Sequence, residues 1–190
     1  KSDAIENFLD KLYEEETEEG EQLEETIKKI EFSNTAFKYL KSDEIIKDVN
    51  IKLEKGNIYG VIGGSGCGKS TVVKLLLGLY MPADGTIYIN DKAVQGISLA
   101  SLRSRIGFVA QDSLFYQGTI MENLRMGKEV EKSKVIELSK LLDVYSDVMK
   151  LPEKWETQLN SGTSNLSGGQ KKRLDVLRAL LRESDVLIFD

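Results

Sequence analysis

Apolar positions change their period several times along the chain, and each change marks an expected element. Ile5, Phe8, Leu9, Leu12 and Tyr13 fall three and four apart, which is one face of a helix. Glu14 to Glu25 is almost wholly polar and reads as an exposed linker, with Gly20 as a break. From Ile30 the pattern becomes strand-like, through Phe32, Ala36, Phe37 and Tyr39, and a second strand is expected over Val49 to Leu53. Lys55-Gly56-Asn57 is a turn, and Ile58 to Ile62 is a short apolar run that ends in glycines, as a buried strand does. Thr71 to Leu79 is helical, and Gly85 to Asn90 and Ile106 to Ala110 are short strands. Residues 119 to 149 carry Val135, Leu138, Leu142, Tyr145 and Met149 at helical spacing. A helix is expected from Gln170 to about Arg182, followed by a buried strand over Val186 to Phe189.

Strands that alternate with helices predict an α/β domain around a mainly parallel sheet, with a helical insert at about 112–165. The length of 190 residues suits one good-sized domain. There is no histidine, which excludes a Ser-His-Asp apparatus, a His-ligated metal and a histidine pH switch. The single cysteine, Cys67, cannot form an internal disulfide and points to a reducing compartment. The longest apolar stretch, Val72 to Ala83, is broken by Lys74 and Pro82 and is too short to span a bilayer. The net charge is −5, yet residues 1–25 hold eleven acids and two lysines, which leaves +4 on the remainder. That body has no large basic excess, so a nucleic-acid partner is not expected. The acidic start lacks the basic-then-apolar pattern of a signal peptide, and with Lys1 rather than Met in first place the sequence is expected to be a piece of a longer one.

Gly63-Gly64-Ser65-Gly66-Cys67-Gly68-Lys69-Ser70 fits G-x-x-x-x-G-K-[ST], after an expected strand and at the opening of an expected helix. Glycines let backbone N–H groups turn inward around phosphate oxygens, and the helix aims its positive end at the same anion. Lys69 is the candidate to neutralise the β- and γ-phosphates, and the Ser70 hydroxyl is a candidate Mg²⁺ ligand. The motif predicts nucleotide binding and, taken alone, leaves kinases, GTPases, helicases and transporters open.

Leu166-Ser167-Gly168-Gly169-Gln170 is a second group of small residues with a hydroxyl before a helix. One reading is a plain N-cap, with Ser167 capping and two turn glycines. The other is a second anion-binding tip. One nucleotide needs one cradle, so a second cradle on the same chain suggests service to a nucleotide held by another subunit.

With these residues in view, the chain from about Ile30 to Asp190 resembles the nucleotide-binding domain of an ATP-binding-cassette (ABC) transporter. Gly63 to Thr71 resembles the Walker A motif, Leu166 to Gln170 the ABC signature, and Val186 to Asp190 the Walker B motif. The resemblance implies a P-loop NTPase fold with a mainly parallel sheet core, an N-terminal antiparallel β region and an inserted helical subdomain. It implies ATP and Mg²⁺ as ligands. It implies Asp190 and Gln111, with Ser70, near the metal, Tyr39 stacked on adenine, and Ser167, Gly168, Gly169 and Gln170 reaching the nucleotide of a second, head-to-tail copy. Ser101-Leu102-Arg103, Gly107 to Asp112 and Gly118-Thr119-Ile120 with Glu122-Asn123-Leu124 are similar to exporter-type members. On that resemblance residues 1–25 are a linker from a transmembrane domain and 26–190 a nucleotide-binding domain on the cytoplasmic side of the membrane, incomplete at its C-terminus.

Blander readings stand beside these. Tyr39 is also a plausible strand aromatic, Gln111 a surface glutamine, Asp190 a strand-end turn residue, and Lys171-Lys172-Arg173 solvated decoration of a helix. The family's catalytic glutamate would follow Asp190, so these 190 residues are expected to bind ATP and hydrolyse it poorly. Ala110 stands where a proline is usual, Asp175 where a small residue usually follows the signature, and Lys92 where a turn glycine is usual. The alternative functions are a non-transport ABC ATPase acting on nucleic acid or translation, and a binding-only nucleotide domain. The transported substrate is not encoded in these residues.

Overall fold

The computed structural model describes residues 20–39, 44–159 and 166–190. The expected amphipathic helix at Ile5 to Tyr13 lies outside them. The chain divides into two compact units, Lys1–Ile106 and Gly107–Asp190.

The first unit is built on an antiparallel sheet. Strands β1 (Lys29–Lys38), β2 (Glu44–Glu54), β3 (Asp84–Ile89) and β4 (Lys92–Ala93) stand in the order β2-β1-β3-β4. Alternation puts Ile30 and Phe32 of β1 on the buried face, opposite Leu53 and Ile51 of β2. After Phe32 the register shifts. Asn34 takes a positive φ of 46°, its N–H donates to Asn50 Oδ1 (2.9 Å), and Thr35, Ala36 and Phe37 are then buried in succession. Gly85 fits only as glycine. Its φ is +71° and a Cβ would stand 2.2 Å from the Asn34 carbonyl oxygen.

Among the described residues two α-helices complete this unit, α1 (Lys69–Leu76) and α2 (Leu99–Ser104). Leu75 of α1 and Leu102 of α2 are fully buried. Arg103 donates from Nε to the Leu77 carbonyl (3.0 Å) and from Nη2 to that of Gly78 (3.1 Å). The end of α1 thereby finds donors for carbonyls its own helix leaves unpaired.

Residues 21–25, read from sequence as exposed linker, are tied down. Leu23 is buried and its N–H donates to Ser101 Oγ (2.7 Å). Arg105 Nη2 donates to the carbonyls of Leu23 (3.1 Å) and Glu24 (2.7 Å). Glu21 exchanges backbone bonds with Gly96 and Ser98 and pairs with Lys92 at 2.7 Å. That ion pair holds the Glu21 carboxyl below its ordinary range and raises the Lys92 ammonium.

The expected buried strand at Ile58 to Ile62 is not one. Among the described residues no strand takes it as a partner, Ile58 and Ile62 stand essentially fully in solvent, and Val61 is exposed. An apolar run marks what a segment favours if covered, and burial itself depends on other parts of the chain.

The second unit begins within β5 (Ile106–Val109), which pairs with β8 (Val186–Phe189). Between them come β6 (Gly118–Thr119), α3 (Ile120–Arg125), α4 (Lys132–Leu141), α5 (Tyr145–Met149), β7 (Gln158–Leu159) and α6 (Gly168–Leu181). Ile120, Leu124, Val135, Val148, Trp155, Leu174 and Leu177 form its core. Each such burial contributes about 1.5–3 kcal/mol relative to exposure. Helix α3 starts at a capping box. Thr119 Oγ1 accepts from the Glu122 N–H (3.0 Å), and Glu122 Oε2 accepts from the Thr119 N–H (2.7 Å). Strand β8 forms where expected, but Leu187 and Phe189 are exposed rather than buried.

Candidate functional site

Helix α1 opens out of the glycine loop. Its N-cap, Gly68, has φ 99° and ψ 6°, a left-handed conformation that a residue with a Cβ adopts at a cost. A Cβ there would stand 2.7 Å from Ile46 Cδ1. Residues Gly63 to Cys67 are exposed, as is Ser70, and α1 has no acidic residue in its first turn. The free N–H groups at this helix start are therefore open to an anion. Lys69 folds back over the loop, donating from Nζ to the carbonyls of Gly63 (2.9 Å) and Gly64 (2.8 Å), 3.8 Å from Cys67 Sγ. The loop thus holds a cation at its mouth, where phosphate oxygens offer an alternative set of acceptors.

Tyr39 lies beside the same helix. Its hydroxyl stands 3.2 Å from Thr71 Oγ1, one residue past Ser70, so Thr71 is buried with its hydroxyl turned to Tyr39. The Tyr39 ring meets Phe37 edge-on at 4.9 Å and Tyr80 edge-on at 5.2 Å, and Lys74 Nζ stands 5.8 Å from its centre. The sequence offered Tyr39 but not Tyr80. The available signal was an aromatic immediately after the apolar run Thr71 to Leu79.

In the second unit, Ser167 caps α6 through another capping box. Its Oγ accepts from the Gln170 N–H (3.3 Å), and Gln170 Oε1 accepts from the Ser167 N–H (2.8 Å). The N-cap reading is therefore correct, and it does not exclude the anion reading. Ser167, Gly168 and Gly169 are exposed, the first turn has no acid, and the serine keeps its own proton to donate.

Gln111 and Asp190 each follow a strand of the β5–β8 pair, at the same end of it. The Asp190 N–H donates to the Val109 carbonyl at 3.0 Å, two residues before Gln111, and both side chains are exposed. The basic run on α6 is more than decoration. Lys172 donates to the carbonyl of Ala110 and, at 3.4 Å, to that of Gln111, while Arg173 donates to the Asp143 carbonyl at 2.7 Å.

Residues 46–190 match the sequence profile of a family described as ABC transporter. The chain belongs to the ABC transporter family. It is 38% identical over 182 residues to the uncharacterized ABC transporter ATP-binding protein YfiB of Bacillus subtilis, covering 92% of this chain and 32% of that protein. It is 34% identical over 162 residues to the mitochondrial iron-sulfur clusters transporter ABCB7 of Danio rerio, covering 85% and 22%. Among solved structures it superposes on a bacterial Atm1-family ABC exporter with ATP bound, with a TM-score of 0.84 at 28% identity, over 92% of this chain and 31% of that one. The chain spans about a third or less of the relatives it matches. The fold is that of an ABC P-loop NTPase, mixed α/β with antiparallel N-terminal strands.

Proposed function

We propose that this chain is the ATP-binding and ATP-hydrolysing motor of an ABC exporter, in which two copies dock head-to-tail. The observation that carries the reading is the exposed Ser167-Gly168-Gly169 tip on α6, a second anion-binding helix start in a chain whose Lys69 loop already supplies one. On this reading Ser167, Gly168, Gly169 and Gln170 of one copy close over the γ-phosphate of ATP held by the other. ATP then glues the pair together, and loss of the γ-phosphate releases it.

Within each copy, the N–H groups from Gly63 to Thr71 cradle the phosphates. Lys69 exchanges its two carbonyl acceptors for β- and γ-phosphate oxygens, and the Tyr39 ring, braced from the side, takes the adenine. Ser70, Gln111 and Asp190 offer hard oxygen ligands that suit Mg²⁺. Among the described residues no group of three acidic, cysteine or histidine side chains gathers. Mg²⁺, when bound, would supply positive charge that offsets the charge of the phosphates. Gln111 orients the attacking water, but an amide does not accept its proton. The 190 residues as a polypeptide of their own are therefore expected to bind ATP and turn it over slowly.

Residues 1–25 lead from a transmembrane domain, residues 26–190 form the motor with the helical subdomain at about 112–165, and closure passes to the membrane helices through the Gln111 region. The motor then lies on the cytoplasmic side of the membrane. The exporter relatives and the ATP-bound exporter structure support this assignment.

Lys69→Ala in the intact transporter is the test. Each hydrogen bond to a charged group is worth about 1.5–3 kcal/mol and Lys69 makes at least one, so ATP should bind at least roughly 10-fold more weakly. ATP-driven export should cease. Unimpaired export from that variant overturns the reading.

A further inference from the structure

Asp175 has no part in the site above, yet it is a fully buried carboxylate on the signature helix. A carboxylate taken out of water needs a partner, and Asp175 has one in Arg178, one turn along α6, whose Nη2 bonds to Asp175 Oδ1. That leaves the other arm of the guanidinium free, and it is used. Arg178 Nη1 donates to the Leu114 carbonyl at 2.8 Å, and its plane lies 5.0 Å from the centre of the Phe115 ring. Residues 111 to 117 have no helix or strand of their own. They are gripped at one end by Lys172 on the carbonyls of Ala110 and Gln111, in the middle by Arg178, and at the other end by buried Asn123, which bonds the N–H (3.0 Å) and carbonyl (3.1 Å) of Tyr116. Two of the three grips come from one helix, whose first residues are the Ser167-Gly168-Gly169 tip.

We propose that Asp175 is a positioning residue: by fixing Arg178 it latches the segment 111–117 to helix α6, so that whatever moves the tip of α6 carries Gln111 with it. A lysine in place of Arg178 reaches one acceptor and not two, and an arginine without Asp175 loses the anchor that aims its second arm. The consequence for transport rests on the motor reading above, while the latch itself does not.

The test is hydrogen–deuterium exchange on the intact transporter, with Asp175→Asn, Arg178→Lys and Asp175→Glu variants, together with ATP affinity and ATP consumed per substrate exported. Asp175→Asn and Arg178→Lys should each raise exchange over 112–117, read at the Tyr116 N–H that Asn123 Oδ1 holds, by up to roughly tenfold, the scale of opening expected when the segment loses one hydrogen bond to a charged group. Exchange in α4 should stay as it was. Asp175→Glu, which keeps the ion pair, should restore most of the protection. ATP affinity should be unchanged and more ATP should be spent per molecule exported. Unchanged exchange over 112–117, or an equal rise throughout α4 and α6, overturns the latch and leaves Asp175 as a stabilising pair only. If Asp175→Asn does not fold, Arg178→Lys, which keeps a cation beside the carboxylate, decides alone. If exchange responds as described while ATP fails to bind the unaltered transporter, the motor reading falls and the latch stands.

Discussion

Gly68→Ala separates the loop's geometry from its chemistry. Gly68 sits at φ +99°, where an L-residue pays roughly 1–2 kcal/mol for its backbone alone. The new methyl would stand 2.7 Å from Ile46 Cδ1, 3.2 Å from Ile45 Cγ2 and 3.4 Å from the Ile45 carbonyl. Ile46 is itself buried, so its side-chain end has little room to yield, and overpacking of this kind costs about 1–3 kcal/mol. Together these give a loss of about 2–5 kcal/mol. At about 2–4 °C per kcal/mol for a domain of this size, the melting temperature should fall by roughly 4–20 °C. Gly64 is the control, since a Cβ there meets nothing within 4 Å and its φ is not in the left-handed region. Gly64→Ala should change stability by less than about 0.5 kcal/mol. Differential scanning fluorimetry of the two variants without nucleotide makes the comparison. A Gly68→Ala protein that melts within a degree of the parent, or a Gly64→Ala protein that loses as much as Gly68→Ala, would refute the reasoning.

Two further outcomes are expected. Cys67 is exposed with its Sγ 3.8 Å from Lys69 Nζ, so a maleimide on it should abolish ATP binding and bound ATP should slow the labelling; unchanged ATP affinity after complete labelling, measured by calorimetry, would disprove this. The Glu21–Lys92 pair should make the anchoring of residues 21–25 pH-dependent. Glu21 is depressed, so its share is present above the ordinary glutamate range and disappears as pH falls through the lowered value; Lys92 is raised, so its share persists until pH passes the ordinary lysine range. Exchange protection at Leu23 should therefore be flat from about pH 5 to 9 and weaken in acid and again above the ordinary lysine range, and less so in Lys92→Ala; a transition near neutrality would contradict it.

What could be read from sequence was what local chemistry dictates. The glycine loop was legible because a left-handed N-cap and an open ring of amides demand particular residue types at a particular spacing. Ser167 as a candidate N-cap marked the start of α6, expected at Gln170 and found at Gly168, while the capping box with Gln170 came from the structure. Burial was less legible. Ile58 to Ile62 had the composition of a covered strand and stands in solvent, while Leu23, set among glutamates, is buried. Asp175 and Arg178 have helical pair spacing, but nothing local says that the carboxylate is inside or that the arginine's second arm meets Leu114, sixty-four residues earlier. Tyr39 was found by resemblance, and its neighbours Phe37 and Tyr80 emerged only from the way β1 lies beside the end of α1.

The fastening of residues 21–25 determines where tension goes. A tug arriving along the preceding stretch of polypeptide is met first by Lys92, by Ser101 and Arg105, and by the backbone of Gly96 and Ser98, before it reaches β1. Mechanical load is thus shunted sideways into α2 and the turn ahead of it, and the sheet that carries Tyr39 is spared the pull.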